Sequence, residues 1–253
     1  MKTYIITFAV MIFTLASCKA QTPQSNSVEE TEITFLVDCT DKFIFEDVYT
    51  DFHDNFAVFF KNLGVGQLNS NEKLTLKIGA IDDSDRLSLK SASIVAANSR
   101  ASKREQEARC NPRPLLQLIT TELDNQKKRC ERDNKNSPII DVVLKTFRDM
   151  NSDASREVVV ICTDGLENNY VNLYRNIPEN DEGMAKVMKK MDVVLLNEAK
   201  EKISEVDPEV IFVLKANPKA NTAKLKVFYT KLMKQLGVNT VSFIDNLSNS
   251  LNL

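Results

Sequence analysis

The chain contains no tryptophan, a single histidine and only six glycines among its 253 residues. Any mechanism that needs two imidazoles within this chain is therefore excluded, and His53 lies beside the apolar stripe of a predicted helix. The scarcity of glycine argues against a glycine-rich barrel and a phosphate-cradling loop. A large excess of one charge is also absent, since 33 Lys and Arg face 35 Asp and Glu. We therefore expect neither a nucleic-acid partner nor a highly charged substrate.

The amino terminus has the pattern of an export signal. Lys2 is followed by an apolar segment from Tyr4 to Ala16 that is too short to span a bilayer comfortably. The sequence Leu15-Ala16-Ser17-Cys18 then resembles the lipobox of bacterial lipoproteins, with Ser17 where Gly or Ala is usual. The resemblance implies a signal peptide of residues 1–17, lipid on Cys18 and attachment to a membrane of the bacterial cell envelope, on its periplasmic or surface face. The alternative is an ordinary secretory signal with a chance cysteine.

Residues 18–31 are polar without apolar periodicity, which is typical of a tether, and the fold is expected to begin near Glu32 and to form one domain over 32–253. An exported domain permits disulfides among its four cysteines, although spacing alone does not assign the pairing. A bridge between Cys110 and Cys130 is favoured, because Cys39 and Cys162 belong to apparently buried strands and are expected to act as small packing residues.

Short apolar runs alternate with amphipathic helical stripes along this domain. The runs are Ile33–Val37, Leu74–Ile81, Glu157–Cys162, Glu209–Leu214 and Thr240–Ile244. Residues 86–95 can return as a hairpin partner of the second run. This alternation predicts an α/β fold of the Rossmann-like kind: a doubly wound, mainly parallel sheet with helices on both faces and one antiparallel edge strand.

Residues 98–136 form a charged insertion in this pattern. Between Arg100 and Arg132 nine basic residues face five acidic ones, and a helical stripe follows Pro114. We interpret the insertion as two helical pieces broken at Asn111-Pro112. It is either a solvated helical surface or a basic surface that docks a partner.

Two of the predicted strands end in an aspartate, Asp38 and Asp164. Ligands of doubly wound sheets bind outside the carboxyl ends of the strands, where the strand order reverses. Two carboxylates at that point suit a hard divalent cation with oxygen ligands. The alternative for Asp38 is a strand-end acid that caps the following helix.

Both strand ends carry a recognisable pattern, Asp38-Cys39-Thr40 and Thr163-Asp164-Gly165. With the order of the strands, they resemble a von Willebrand factor type A domain, whose first strand ends in Asp-x-Ser-x-Ser and whose later strand ends in Thr-Asp-Gly. The resemblance implies a metal-ion-dependent adhesion site that holds Mg²⁺, Mn²⁺ or Ca²⁺. Its ligands would be Asp38, Thr40, Ser137 and Asp164, with Asn168 among the polar residues of the rim. Ser137, just before Pro138, is also interpreted as a helix cap.

Lys42 departs from the family, because it stands where the second serine is expected and an ammonium repels a divalent cation. Three outcomes are open: Lys42 points away from the site, its ammonium replaces the metal between Asp38 and Asp164, or Asp41 substitutes as a ligand. Lys42 and Asp41 are in each case part of the expected binding rim.

These features predict a noncatalytic module that binds a protein partner or serves in envelope assembly, with no small-molecule substrate. The enzymatic alternative is a phosphohydrolase similar to the haloacid dehalogenases, with Asp38 as the nucleophile and Lys215 as a candidate lysine. That family normally has an aspartate at the position of Thr40.

Overall fold

The computed structural model describes residues 29–63, 72–82, 87–95, 113–130 and 137–249. Six strands and six helices occur within these ranges. The strands are β1 (Glu29–Asp38), β2 (Glu72–Ile81), β3 (Lys90–Val95), β4 (Arg156–Thr163), β5 (Glu209–Leu214) and β6 (Thr240–Ile244). The helices are α1 (Lys42–Asn62), α2 (Arg113–Cys130), α3 (Ile139–Arg148), α4 (Asp181–Met188), α5 (Val193–Val206) and α6 (Thr222–Leu236).

The six strands form one sheet in the order β3-β2-β1-β4-β5-β6. β3 is antiparallel to β2, and the other neighbouring pairs are parallel. This confirms the predicted α/β fold with one antiparallel edge strand. Because the chain runs outward from β1 to β2 and in the other direction from β4 to β6, the strand order reverses between β1 and β4. The carboxyl ends of these two strands are therefore the expected ligand position.

The sheet is buried on both faces, and neighbouring residues of a strand serve opposite cores. Phe35 faces α1, where its ring centroid lies 5.0 Å from that of Phe52 and 5.7 Å from that of Phe59. Leu36 belongs to the second core, which also contains buried side chains of α3, α5 and α6. The two cores fix the direction in which every strand-end side chain leaves the sheet.

The first strand begins earlier than predicted, at Glu29 rather than near Glu32. Its polar start is stabilised by cross-strand contacts with β2. The Glu30 carboxylate lies 2.9 Å from the Lys73 ammonium and accepts a hydrogen bond from the Thr75 hydroxyl at 2.6 Å. An apolar pattern cannot detect a strand start that is held by charged and polar partners.

The charged insertion contributes α2, which buries Leu115, Ile119 and Leu123 in the same core as α1. The earlier half of the insertion, including Cys110 and the predicted break at Asn111-Pro112, lies outside the described residues. Cys130, the last residue of α2, is a buried thiol.

The predicted signal peptide and most of the tether, residues 1–28, also lie outside the described part of the chain. Within the described ranges no helix has both the length and the apolar character needed to cross a membrane.

Candidate functional site

The carboxyl ends of β1 and β4 meet at a group of side chains that we call the strand-end cluster: Asp38, Thr40, Ser137, Thr163 and Asp164. Asp38 is at its centre and is almost fully buried. One oxygen of Asp38 accepts hydrogen bonds from the Thr40 amide (2.9 Å) and hydroxyl (2.6 Å). The other oxygen accepts from the Thr163 hydroxyl at 2.6 Å. Asp38 thus joins β1 to β4 and holds two hydroxyls in place.

Ser137 enters the cluster from the segment that precedes α3. Its hydroxyl oxygen lies 3.2 Å from that of Thr40, 97 positions earlier in the chain. Its amide donates to the Asn168 side-chain oxygen at 2.5 Å. This contact holds Asn168 beside Ser137.

The interpretation of Ser137 as a helix cap was wrong. The capping position of α3 is Pro138, and no side chain of that position bonds the helix start. Instead the buried carboxylate of Glu167 accepts the Ile140 amide at 2.8 Å. Because Glu167 satisfies the helix start, the Ser137 hydroxyl is left to face Thr40.

Asp164 is held by the loops around it. One carboxylate oxygen accepts the Leu166 amide at 2.9 Å, and the other accepts the side-chain amide of Asn217 at 2.6 Å. Gly165 has a φ of 78°, and a Cβ there would lie 3.3 Å from the Tyr229 ring. The turn that orients Asp164 therefore needs glycine for its backbone conformation.

Burial dominates the electrostatics of the two aspartates. Desolvation by burial, with the charge of Asp164, raises the pKa of Asp38 to about 6. Burial also raises the pKa of Asp164 above its ordinary value. Burial thus disfavours the charged forms of both aspartates. A bound cation would stabilise both of these charged forms.

Asp41 and Lys42 lie at the start of α1. Asp41 caps α1, with its carboxylate accepting the Phe43 amide at 2.8 Å and the Ile44 amide at 3.3 Å. Asp41 is therefore the residue that caps the helix, and Asp38 is not. Because the Asp41 carboxylate is engaged by the helix start, the alternative in which Asp41 replaces a metal ligand is not adopted. The Lys42 side chain is 60% exposed, and its ammonium lies 4.0 Å from Glu46. Of the three outcomes for Lys42, the structure has the one in which it points away from the aspartates.

Two aromatic side chains on the rim were not found by sequence reasoning. Phe43, in the first turn of α1, is 80% exposed. Tyr174 is partly exposed, and burial together with the charges of Asp164, Asp38 and Asp41 raises its pKa to about 12. Neither residue has a local sequence signal, because its position beside the cluster depends on how a loop or a helix start packs there. Asn217 could have been found, since it follows the carboxyl end of β5.

Lys215 and His53 lie outside the strand-end cluster. The buried Lys215 ammonium is 2.5 Å from an Asp51 carboxylate oxygen on α1 and donates to the Asp245 carbonyl at 3.3 Å. His53 is exposed on α1, and its ring centroid is 4.7 Å from that of Tyr49. The prediction that His53 packs or faces solvent is confirmed.

The donor set of the cluster consists of hard oxygen atoms: two carboxylates and the hydroxyls of Thr40 and Ser137. This composition fits Mg²⁺ or a similar cation that keeps several waters. Among the described residues no three His, Cys, Asp or Glu side chains are grouped so that they could hold a metal, so any cation here would depend on the hydroxyls.

The fold and the cluster together define a doubly wound α/β protein with a polar site at its topological switch point. Neither protein-family models nor curated protein sequences match the chain.

Proposed function

We propose that the chain is a noncatalytic protein-binding or envelope-assembly module similar to a von Willebrand factor type A domain, tethered to a bacterial membrane by lipid on Cys18. Its strand-end cluster would hold Mg²⁺, or Mn²⁺ or Ca²⁺ in its place. The observation that supports this most is the contact between the Thr40 and Ser137 hydroxyl oxygens, which lie 3.2 Å apart beside Asp38.

The hydrogen bonds of the cluster support a metal-binding role. Asp38 orients the Thr40 hydroxyl through one oxygen and the Thr163 hydroxyl through the other. Thr40 and Ser137 would act as direct ligands, and Asp38 and Asp164 would supply the negative charge. The exposed position of Lys42 favours this role, because its ammonium leaves the space between the aspartates to a cation.

The rim of the cluster supports a protein partner. Exposed aromatic side chains beside a polar centre are typical anchors of protein interfaces, and Phe43 and Tyr174 flank the cluster. The family resemblance implies that a carboxylate of the partner completes the coordination of the metal. The partner would then contact Lys42 and Asn168 at the same rim.

The phosphohydrolase alternative has less support. Both oxygens of Asp38 accept hydrogen bonds from hydroxyls of the chain itself, which lowers their availability for attack on phosphorus. The candidate lysine, Lys215, is engaged by Asp51 instead of reaching the cluster. Nothing observed among the described residues favours a covalent intermediate at Asp38.

The metal is tested by thermal unfolding of the full-length chain in mild detergent during titration with Mg²⁺ or Mn²⁺. A cation that binds only the folded state adds about 2.7 kcal/mol at a hundredfold excess over its Kd. We expect the unfolding temperature to rise with cation concentration for the wild-type chain and to stay constant for Asp38→Ala.

The matched control is Asp153→Asn, which removes an exposed carboxylate from the opposite end of the sheet. It should respond to the cation as the wild type does. If the wild-type chain shows no response, or if Asp38→Ala responds equally, the proposed metal site is wrong.

A further inference from the structure

Cys39 occupies the position between Asp38 and Thr40 and is fully buried. Its amide donates to the Ile81 carbonyl at 2.9 Å, so it is held at the carboxyl end of β2. Its sulfur lies 3.9 Å from the side-chain oxygen of Gln126 on α2. The thiol of Cys39 is thus directed toward the last turns of that helix.

Cys130 lies one helical turn after Gln126 and is buried in the same core as Cys39. The Cys130 thiol, followed by burial, raises the pKa of the Cys39 thiol well above its ordinary value. A separate contact places the end of α2 at this position, because the Arg129 guanidinium lies 3.6 Å from the carboxylate of Asp82, the residue after β2. The packing of α2 on β1 and β2 therefore brings Cys130 into the region of Cys39.

We propose that Cys39 and Cys130 are the disulfide pair of this protein and that they are oxidised when the chain folds in an oxidising compartment. In the reaction each thiol loses one proton and one electron, and one S–S bond of about 2.05 Å forms. A low-molecular-weight disulfide such as oxidised glutathione accepts both electrons and both protons and leaves as two thiols. This assignment is an alternative to the bridge between Cys110 and Cys130, which was favoured because Cys39 and Cys162 belong to buried strands.

The bond would join the first part of the strand-end cluster to the charged insertion. Cys39 is the neighbour of two cluster residues, and Cys130 precedes Ser137 by seven positions in the chain. The closed loop contains about 90 residues, and loops of this length restrict the unfolded chain strongly. The inference does not depend on the proposed metal, since it concerns the sulfur atoms alone.

Both sulfurs are buried in the folded chain, so an oxidant reaches them most readily during folding. The test therefore refolds the full-length chain in mild detergent from denaturant, in a buffer of reduced and oxidised glutathione. Remaining thiols are then alkylated under denaturing conditions, and the chain is digested without reduction. Mass spectrometry should find a peptide pair joined through Cys39 and Cys130, with Cys162 alkylated. Alkylated Cys39, or Cys130 joined to any cysteine other than Cys39, would overturn the proposal.

A second measurement uses the unfolding temperature before and after reduction with dithiothreitol. We expect reduction to lower it by about 5–10 °C in the wild-type chain. The difference should disappear in Cys39→Ala and persist in the control Cys162→Ala, which removes another buried thiol from a strand of the same sheet. A difference that persists in Cys39→Ala would contradict the assignment.

Discussion

Two glutamates at the amino-terminal end of the sheet share a buried environment far from the strand-end cluster. Glu32 and Glu157 are directly paired residues of β1 and β4 and are both almost fully buried. Lys77 forms an ion pair with Glu32. Burial, followed by the charge of Glu32, raises the pKa of Glu157 to about 8. Near neutral pH Glu157 therefore keeps its proton, and its carboxyl O–H can donate a hydrogen bond to the Glu32 carboxylate.

The pH dependence of stability tests this arrangement. The folded pKa of Glu157 lies above its ordinary value of 4.5, so the folded chain binds more protons than the unfolded chain between pH 4.5 and about 8. Its contribution to stability is thus complete below pH 4.5 and is lost as the pH rises through this window. Glu157→Gln lacks the titration, so its unfolding temperature relative to the wild type should rise by about 3–6 °C between pH 5 and 8.5.

Thermal unfolding monitored by circular dichroism at the two pH values provides the measurement. Glu201→Gln, at an exposed position of α5, is the control and should follow the wild type. Equal pH profiles for Glu157→Gln and the wild type would show that Glu157 titrates normally.

At the scale of elements, a buried ion pair joins α1 to the carboxyl ends of β5 and β6. The Asp51 carboxylate forms an ion pair with the Lys215 ammonium. It also accepts a hydrogen bond from the Leu247 amide, whose nitrogen lies 3.1 Å from one carboxylate oxygen and 3.0 Å from the other. Both charged side chains are about 5% exposed. The pair therefore links the helix that starts at the strand-end cluster to the end of the described chain.

Removal of one partner should be costly, because it leaves the other charge buried without compensation. We expect Lys215→Met to lower the free energy of unfolding by about 3–5 kcal/mol, measured by urea denaturation. Adding Asp51→Asn in the same chain should recover part of this loss. Lys224→Met is the control, since its ion pair with Glu179 is half exposed and should contribute less than about 1 kcal/mol. If Lys215→Met and Lys224→Met lowered the free energy of unfolding by similar amounts, the predicted importance of the buried pair would be contradicted.

At the scale of the whole molecule, β1 and β4 lie at the centre of the sheet, and β3 lies at its edge. Residues of the central strands are covered by helices on both faces, whereas β3 has alternating exposed and half-buried side chains. Central strands generally open only with global unfolding, and edge strands open locally at lower cost.

Native-state hydrogen exchange should show this order. We expect the amides of Phe35–Val37 and Val158–Val160 to exchange at the rate set by global unfolding, and those of β3 to exchange at least about tenfold faster. Mass-spectrometric or NMR detection of exchange at several low urea concentrations provides the measurement. If β1 exchanged as fast as β3, the sheet order given by the structure would be in doubt.

Most of the fold could be predicted from the sequence because its signals are local. Buried strands show as unbroken apolar runs, and α1 and α6 show as amphipathic stripes that end at glycine or close to it. The start of β1 was missed because Glu30 is held by Lys73 and Thr75, residues more than 40 positions away. A strand end stabilised by distant polar contacts has no period of its own in the sequence.

The sequence by itself determined that two aspartates follow buried strands, because an apolar run followed by a polar residue is a local pattern. The tertiary structure decided what surrounds them. It directs Lys42 toward Glu46, leaves helix capping to Asp41 and Glu167, and brings Ser137 to Thr40. It also buries Cys39 and Cys130 in the same core. These contacts depend on how helices pack on the two faces of one sheet, so the order of residues along a single element does not contain them.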